Sequence, residues 1–225
     1  MGETTSIKGF IEASFLDWPG RVASVVFLPS CNLRCPYCHN SGLVLTPDNF
    51  EEISIDGILS GIEENSGFID GVVVTGGEPT VSGGLFELLE RFRLIGVPVK
   101  LDTNGTMPEL LEKILERGLV SAVAMDIKAP LTQEEYFRAA GREVDVTAIK
   151  ESINLLLNAR AEVFFRTTAV PALHDEDAIR RIMQEIPGHS LILQNFRPED
   201  SLDPRYRKML PFGAEEFEKL KGNCF

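Results

Sequence analysis

RVASVVFLPSCNLRCPYCHN, residues 21–40, joins two unlike kinds of sequence at Pro29. Residues 21–28 are apolar and β-branched, the composition of a strand buried on both faces. Pro29 stops that run. Just beyond it lie Cys31, Cys35 and Cys38, at spacings of four and three. A buried strand that hands reactive side chains to the loop at its carboxyl end is the opening of a βα unit.

Outward from this stretch the same unit recurs. Helix-like sequence over 51–65 carries Ile53, Ile58 and Ile62 at helical spacing. DGVVVTGG (70–77) is the next strand, stopped by glycines, and 85–96 is an amphipathic helix ending at Gly96. A strand over 97–105, a helix over 107–118 and a strand over 120–128 follow. A helix over 145–159, a strand over 161–171, a helix over 175–186 and a strand over 190–199 complete the series. Buried strands alternating with helices predict an α/β domain whose sheet is parallel, with right-handed crossovers. Six strands are too few for a closed eight-unit barrel, which leaves a partial barrel or an open doubly wound sheet. A single domain over 1–225 is expected: a strand and a D-W-P-G turn in 1–20, the alternating core in 21–197, and an irregular C-terminal cover in 198–225.

Composition narrows the class of partner. The chain of 225 residues is 44% hydrophobic and carries a formal net charge of −12. That charge, with no basic tract, argues against nucleic acid as partner and favours a protein or a small molecule. No apolar run approaches the roughly 18 residues of a membrane span. The first residues lack the basic-then-apolar order of a secretory signal, and Gly2 is too weak a cue for myristoylation. The cytoplasm is the expected location, where clustered cysteines mean metal binding or catalysis more often than disulfides.

Four readings of the cysteines compete. A structural zinc ion wants four protein ligands. His39 follows Cys38 directly, where adjacent side chains diverge, and Cys224 sits far off in the tail. Cys35-Pro-Tyr-Cys38-His39 also fits the haem-attachment pattern, but that chemistry belongs to exported proteins and leaves Cys31 unexplained. Inert core thiols would not crowd into one loop with Asn, Arg and Pro. The favoured reading is a 4Fe–4S cluster on three thiolates, which leaves one iron open to a substrate or cofactor.

The other strand ends are equally unusual. They offer TGGEPT (75–80), DTNGT (102–106), Asp126-Ile127-Lys128, Arg166 amid apolar neighbours, and Gln194-Asn195. In both candidate architectures these ends share one rim, so they predict a single site. A charge such as Arg166 is rarely buried unless paired.

The spacing C-x3-C-x2-C, with Tyr37 before the last cysteine and GGEP after the second strand, resembles the signature of the radical S-adenosylmethionine superfamily. That resemblance covers residues 21 to about 197 and implies a partial (β/α)6 TIM-like barrel with parallel strands. It also implies a 4Fe–4S cluster on Cys31, Cys35 and Cys38 that cleaves S-adenosylmethionine. Gly76, Gly77 and Glu78 would then contact the methionine amino group. Asp102 and Asn104 would lie on the carboxylate side, with a bound monovalent cation at Asp102. Asp126 and Lys128 would meet the carboxylate or ribose, Arg166 the carboxylate, and Tyr37 and His39 the adenine through backbone groups. Gln194 stands where related activators have histidine. The D-x-P-G turn, C-H-N, D-T-N-G and D-I-K resemble the glycyl radical enzyme activating family. Its anaerobic ribonucleoside-triphosphate reductase branch is most similar, and pyruvate formate-lyase activators next. The implied partners are such a reductase and an electron donor, flavodoxin or ferredoxin. The D-W-P-G turn and barrel mouth are expected to admit the partner's glycine loop. A small-molecule enzyme of the 7-carboxy-7-deazaguanine synthase kind and a plain electron-transfer or zinc module are the rivals. His174 and His189 are expected to be ordinary surface or loop residues, and Cys224 an incidental thiol.

Overall fold

Strand order decides between the two architectures. The computed structural model describes residues 5–222, so Cys224 lies outside the described residues. Its strands are β1 (Gly9–Ser14), β2 (Ala23–Leu28), β3 (Gly71–Gly76), β4 (Val99–Thr103), β5 (Ala122–Asp126), β6 (Glu162–Ala169) and β7 (Leu191–Asn195). They pair in strict chain order, β1 to β7, with β1 antiparallel to β2 and every later pair parallel. A doubly wound sheet would reverse its order at a switch point. None occurs, and β1 and β7 do not pair, so the sheet is a partial, open barrel.

The helices are α1 (Ser41–Leu45), α2 (Ile55–Glu64), α3 (Leu85–Leu94), α4 (Pro108–Glu116), α5 (Gln133–Ala140), α6 (Val146–Leu157), α7 (Glu176–Gln184) and α8 (Ala214–Lys221). Successive strand residues point to opposite faces. Val26, Leu28, Val72, Val74, Leu101, Val123, Met125 and Phe165 bury the convex face in the main core, together with apolar residues of the helices. The alternate positions Ala23, Val25, Val73 and Ala122 form a second cluster around Trp18 on the concave side.

Trp18 corrects the expectation for the D-W-P-G turn. Its indole is fully buried, its Nε1 donates to Glu162 at 3.3 Å, and Arg21 caps the ring at 4.6 Å. Even a Cβ at Gly71 would stand only 2.7 Å from that ring. Ala23, Gly71, Ala122 and Glu162 are the first residues of their strands, so the turn plugs the amino end of the barrel, opposite the carboxyl-end rim. It cannot admit a partner's loop to that rim. Such a plug matters to the fold, since truncating a buried Trp costs about 3–5 kcal/mol.

One helix lies where the sequence was silent, and one further expectation needs revision. The stretch between the strand at 120–128 and the helix at 145–159 holds α5, capped by Thr132 and closed by Gly141 with φ of 68°. The C-terminal cover is not irregular throughout, because α8 lies within it. Among the described residues no helix is long and apolar enough to cross a membrane.

Candidate active site

A pocket of about 240 Å³ opens at the carboxyl ends of the parallel strands, and every site residue predicted from the sequence lies on its wall. The cysteine loop forms one side. Its Arg34 N–H donates to the Ala140 carbonyl at 2.8 Å, where α5 ends. A Cβ on Gly141 would approach the Arg34 carbonyl to 2.1 Å, so only glycine permits this contact. The Arg34 guanidinium folds back on the carbonyls of Cys31 and Leu33, each at 2.6 Å. On the far side the Asp203 N–H donates to the Pro36 carbonyl at 2.9 Å. Cys31, Cys35 and Cys38 are free thiols. Burial pushes all three up in pKa, Cys35 to about 12. His39 turns away, with Nε2 at 2.6 Å from the Arg197 carbonyl.

The glycines of TGGEPT serve chain packing. A Cβ at Gly76 would lie 2.2 Å from the Leu28 carbonyl, and one at Gly77 would lie 1.7 Å from that of Ser30. The Gly77 and Glu78 N–H groups donate to those same carbonyls, stitching the end of β3 to the start of the cysteine loop. The Glu78 side chain is buried and engaged within the protein. It accepts from Thr80 Oγ1 at 2.6 Å, Thr103 Oγ1 at 2.8 Å and the Asn104 N–H at 2.6 Å. Burial raises its pKa against those bonds. Asn104 in turn donates to Asn32 at 3.0 Å, so the D-T-N-G turn also grips the cysteine loop.

The opposite wall is a ladder of charge across three strands. Lys100 pairs with one oxygen of Asp102, and Arg166 Nη1 takes the other at 3.0 Å. Arg166 Nε reaches Asp126 at 2.9 Å, and Lys128 Nζ reaches the second Asp126 oxygen at 3.0 Å. Burial would raise the Asp126 pKa, but the Arg166 and Lys128 charges outweigh it and hold the carboxyl below its usual range. Three cations face two carboxylates, so the ladder carries one positive charge in excess. The partners of Arg166 foreseen from the sequence included a ligand carboxylate; those present are Asp102 and Asp126.

The radical SAM superfamily pattern matches residues 25–183. The chain belongs to that superfamily. A Methanocaldococcus jannaschii protein, provisionally named a glycyl-radical enzyme activating enzyme, is 33% identical over 90% of this chain and 85% of its own length. The pyruvate formate-lyase-activating enzyme of Clostridium pasteurianum is 26% identical over 98% of this chain and 87% of its own length. The fold is shared with Streptococcus suis SuiB bound to precursor peptide SuiA, at a TM-score of 0.65 and 16% identity, over 88% of this chain and 44% of that one. Radical SAM proteins use a 4Fe–4S cluster and S-adenosylmethionine, and the residues present fit both. The three thiols share one pocket wall, and their raised pKa values mean that bound iron must draw them to thiolates. The Tyr37 hydroxyl, buried on the same wall, has no hydrogen-bond partner among the described residues.

Several residues of this radical SAM site escaped the sequence reading. Lys100 is 1% exposed, although a lysine between Val99 and Leu101 looks like a solvent-facing strand position. Asn40 donates to the Gly76 carbonyl at 2.6 Å, and Thr168 joins the pocket wall two residues after Arg166. His174 is buried rather than superficial. The Val170 N–H donates to its Nδ1 at 3.0 Å, which leaves Nε2 to donate to the Lys128 carbonyl at 3.0 Å. His189 is half-buried, with its ring edge-on to Phe165 at 5.4 Å.

Burial lowers the His174 pKa against its two hydrogen bonds, so the folded chain resists a proton that the unfolded chain accepts near pH 6.5. Its contribution to stability is therefore full above that pH and declines as the pH falls below it. Urea midpoints at pH 7.5 and 5.5 should show this decline, and His174→Gln, which takes up no proton, should flatten it. Parallel declines in the two proteins would refute the assignment.

Proposed function

We propose that this chain activates a glycyl radical enzyme, and that its partner is an anaerobic, class III ribonucleoside-triphosphate reductase. The activase part of this reading is carried by the near full-length correspondence with two relatives named as activating enzymes, 85% and 87% of their own lengths; the choice of reductase rests on the sequence resemblance of the D-x-P-G, C-H-N, D-T-N-G and D-I-K stretches. The net charge of −12 and a sequence with no basic tract agree with a protein partner. When bound and reduced, the cluster would supply one electron for the cleavage of S-adenosylmethionine, the chemistry by which the cofactor takes a hydrogen atom from a glycine. Cys31, Cys35 and Cys38 would hold the cluster. Lys128 and Arg166 would draw the methionine carboxylate to the charge ladder, and the backbone of Gly76, Gly77 and Glu78 would face the amino group. Backbone groups of Tyr37 and His39 would meet the adenine. Gln194, exposed on β7, and Leu202 of the C-terminal segment would border the entry for the partner's glycine.

The test mixes the anaerobically reconstituted protein with reduced flavodoxin, S-adenosylmethionine and the class III reductase of the same source. A glycyl doublet should appear in electron paramagnetic resonance and vanish when the partner's radical-site Gly is changed to Ala. A doublet on a pyruvate formate-lyase instead would reassign the partner. Cofactor cleavage with no protein radical on any glycyl radical enzyme of that source would overturn the activase reading.

A further inference from the structure

The resemblance leads one to expect a monovalent cation at Asp102, and the residues present do not fit one. Both Asp102 oxygens are engaged, one by Lys100 and the other by Arg166. Lys100 is itself almost wholly buried, on the concave face of β4 two residues before Asp102, behind the pocket wall rather than on it. We infer that Lys100 is a built-in counter-cation, which does the work of a diffusible ion by neutralising Asp102.

The consequence falls on Arg166. A guanidinium shared between two carboxylates has little field left for a ligand. With Lys100 compensating Asp102, the ladder keeps its one excess positive charge, displayed at the Lys128 end where the pocket opens. Without Lys100 the ladder would be neutral, and an incoming carboxylate would meet no net attraction. Lys100 is thus a positioning residue that acts through Asp102 and Arg166. A buried ammonium is dehydrated at folding, once, whereas a diffusible cation must be recruited and stripped of water for each binding event.

The inference rests on the reading that the S-adenosylmethionine carboxylate lies beside Lys128 and Arg166, and equilibrium dialysis separates the two. Cluster-loaded protein is dialysed against S-adenosylmethionine in potassium buffer and in tetramethylammonium buffer. The wild type should bind equally in both. Lys100→Met, which keeps the volume and removes the charge, should bind roughly tenfold more weakly in tetramethylammonium, as expected for one unit charge a few ångströms away. Potassium should restore much of that loss by entering the vacated place on Asp102, a rescue that mere loss of packing would not produce. Lys100→Met/Asp102→Asn, which leaves no carboxylate at that place for a cation to neutralise, should show no rescue. Potassium dependence in the wild type would overturn the inference without recourse to any variant. Unchanged binding by Lys100→Met, with weakened binding by Arg166→Ala, would overturn the inference alone. Unchanged binding by Arg166→Ala would overturn the carboxylate reading and the inference with it.

Discussion

Alanine at Cys31, Cys35 or Cys38 is expected to abolish iron binding while leaving the chain folded. Each thiol would hold a different iron, so none can stand in for another. The fold leans little on these ligands: Cys31 and Cys38 only pack against the main apolar cluster, and Cys35 is one small side chain among the many strand and helix residues that build it. Iron and sulfide analysis after anaerobic reconstitution should give about four irons for the wild type and near none for each variant. Thermal unfolding should match that of the iron-free wild type to within about 1 kcal/mol, the ordinary size of a mild substitution. Cys224→Ala should keep its iron. Loss of the cluster in that variant would mean four protein ligands and no open iron.

Much of this arrangement was legible in the residues because two simple rules applied. Strands that read as unbroken apolar runs are buried on both faces, and parallel strands deliver function at their carboxyl ends. Strand order was not legible, because βα alternation is common to barrels and doubly wound sheets; the difference lies in which distant strands pair. Helix α5 was missed because only Tyr136, Ala139 and Ala140 of its eight residues are buried, too few to display a period. The D-W-P-G turn was placed at the wrong end by resemblance alone. Its position just before β2 already implied the amino end, since residues that enter a parallel strand lie opposite its functional rim.

Within the site, residue types were more legible than directions. Glu78 belongs to the pocket wall, yet its carboxylate serves Thr80, Thr103 and Asn104, a fact that depends on contacts from β4. Lys100 escaped because a polar residue between two apolar ones normally faces water. Inside a small barrel that same face looks into the lumen, and a charge placed there must find its partner within the protein.

Arg166→Ala is expected to have the largest effect of any substitution on the charge ladder. It removes the cation that bridges Asp102 and Asp126 and leaves each of these mostly buried carboxylates with a single lysine partner. Breaking a buried pair in this way costs about 3–5 kcal/mol. Lys128→Ala should cost much less, since Asp126 is the more open of the two carboxylates and keeps its bond to Arg166. S-adenosylmethionine binding should weaken about ten- to a hundredfold in both variants, as befits loss of a charge-assisted contact. Both should retain iron, because neither residue touches the cysteine loop through a bond of its own side chain. Arg166→Lys should not recover stability, because a single ammonium cannot reach two carboxylates on neighbouring strands as a planar fork does. The depressed Asp126 pKa adds a sign: its stabilisation is complete above the unfolded carboxyl value near pH 4 and is lost as the pH falls below it. Arg166→Ala should therefore narrow the difference in stability between pH 6 and pH 3. Urea unfolding at both pH values, with binding measured on the same preparations, checks each part. If Arg166→Lys proves as stable as the wild type and binds the cofactor as tightly, the two-carboxylate fork is not what holds this wall together.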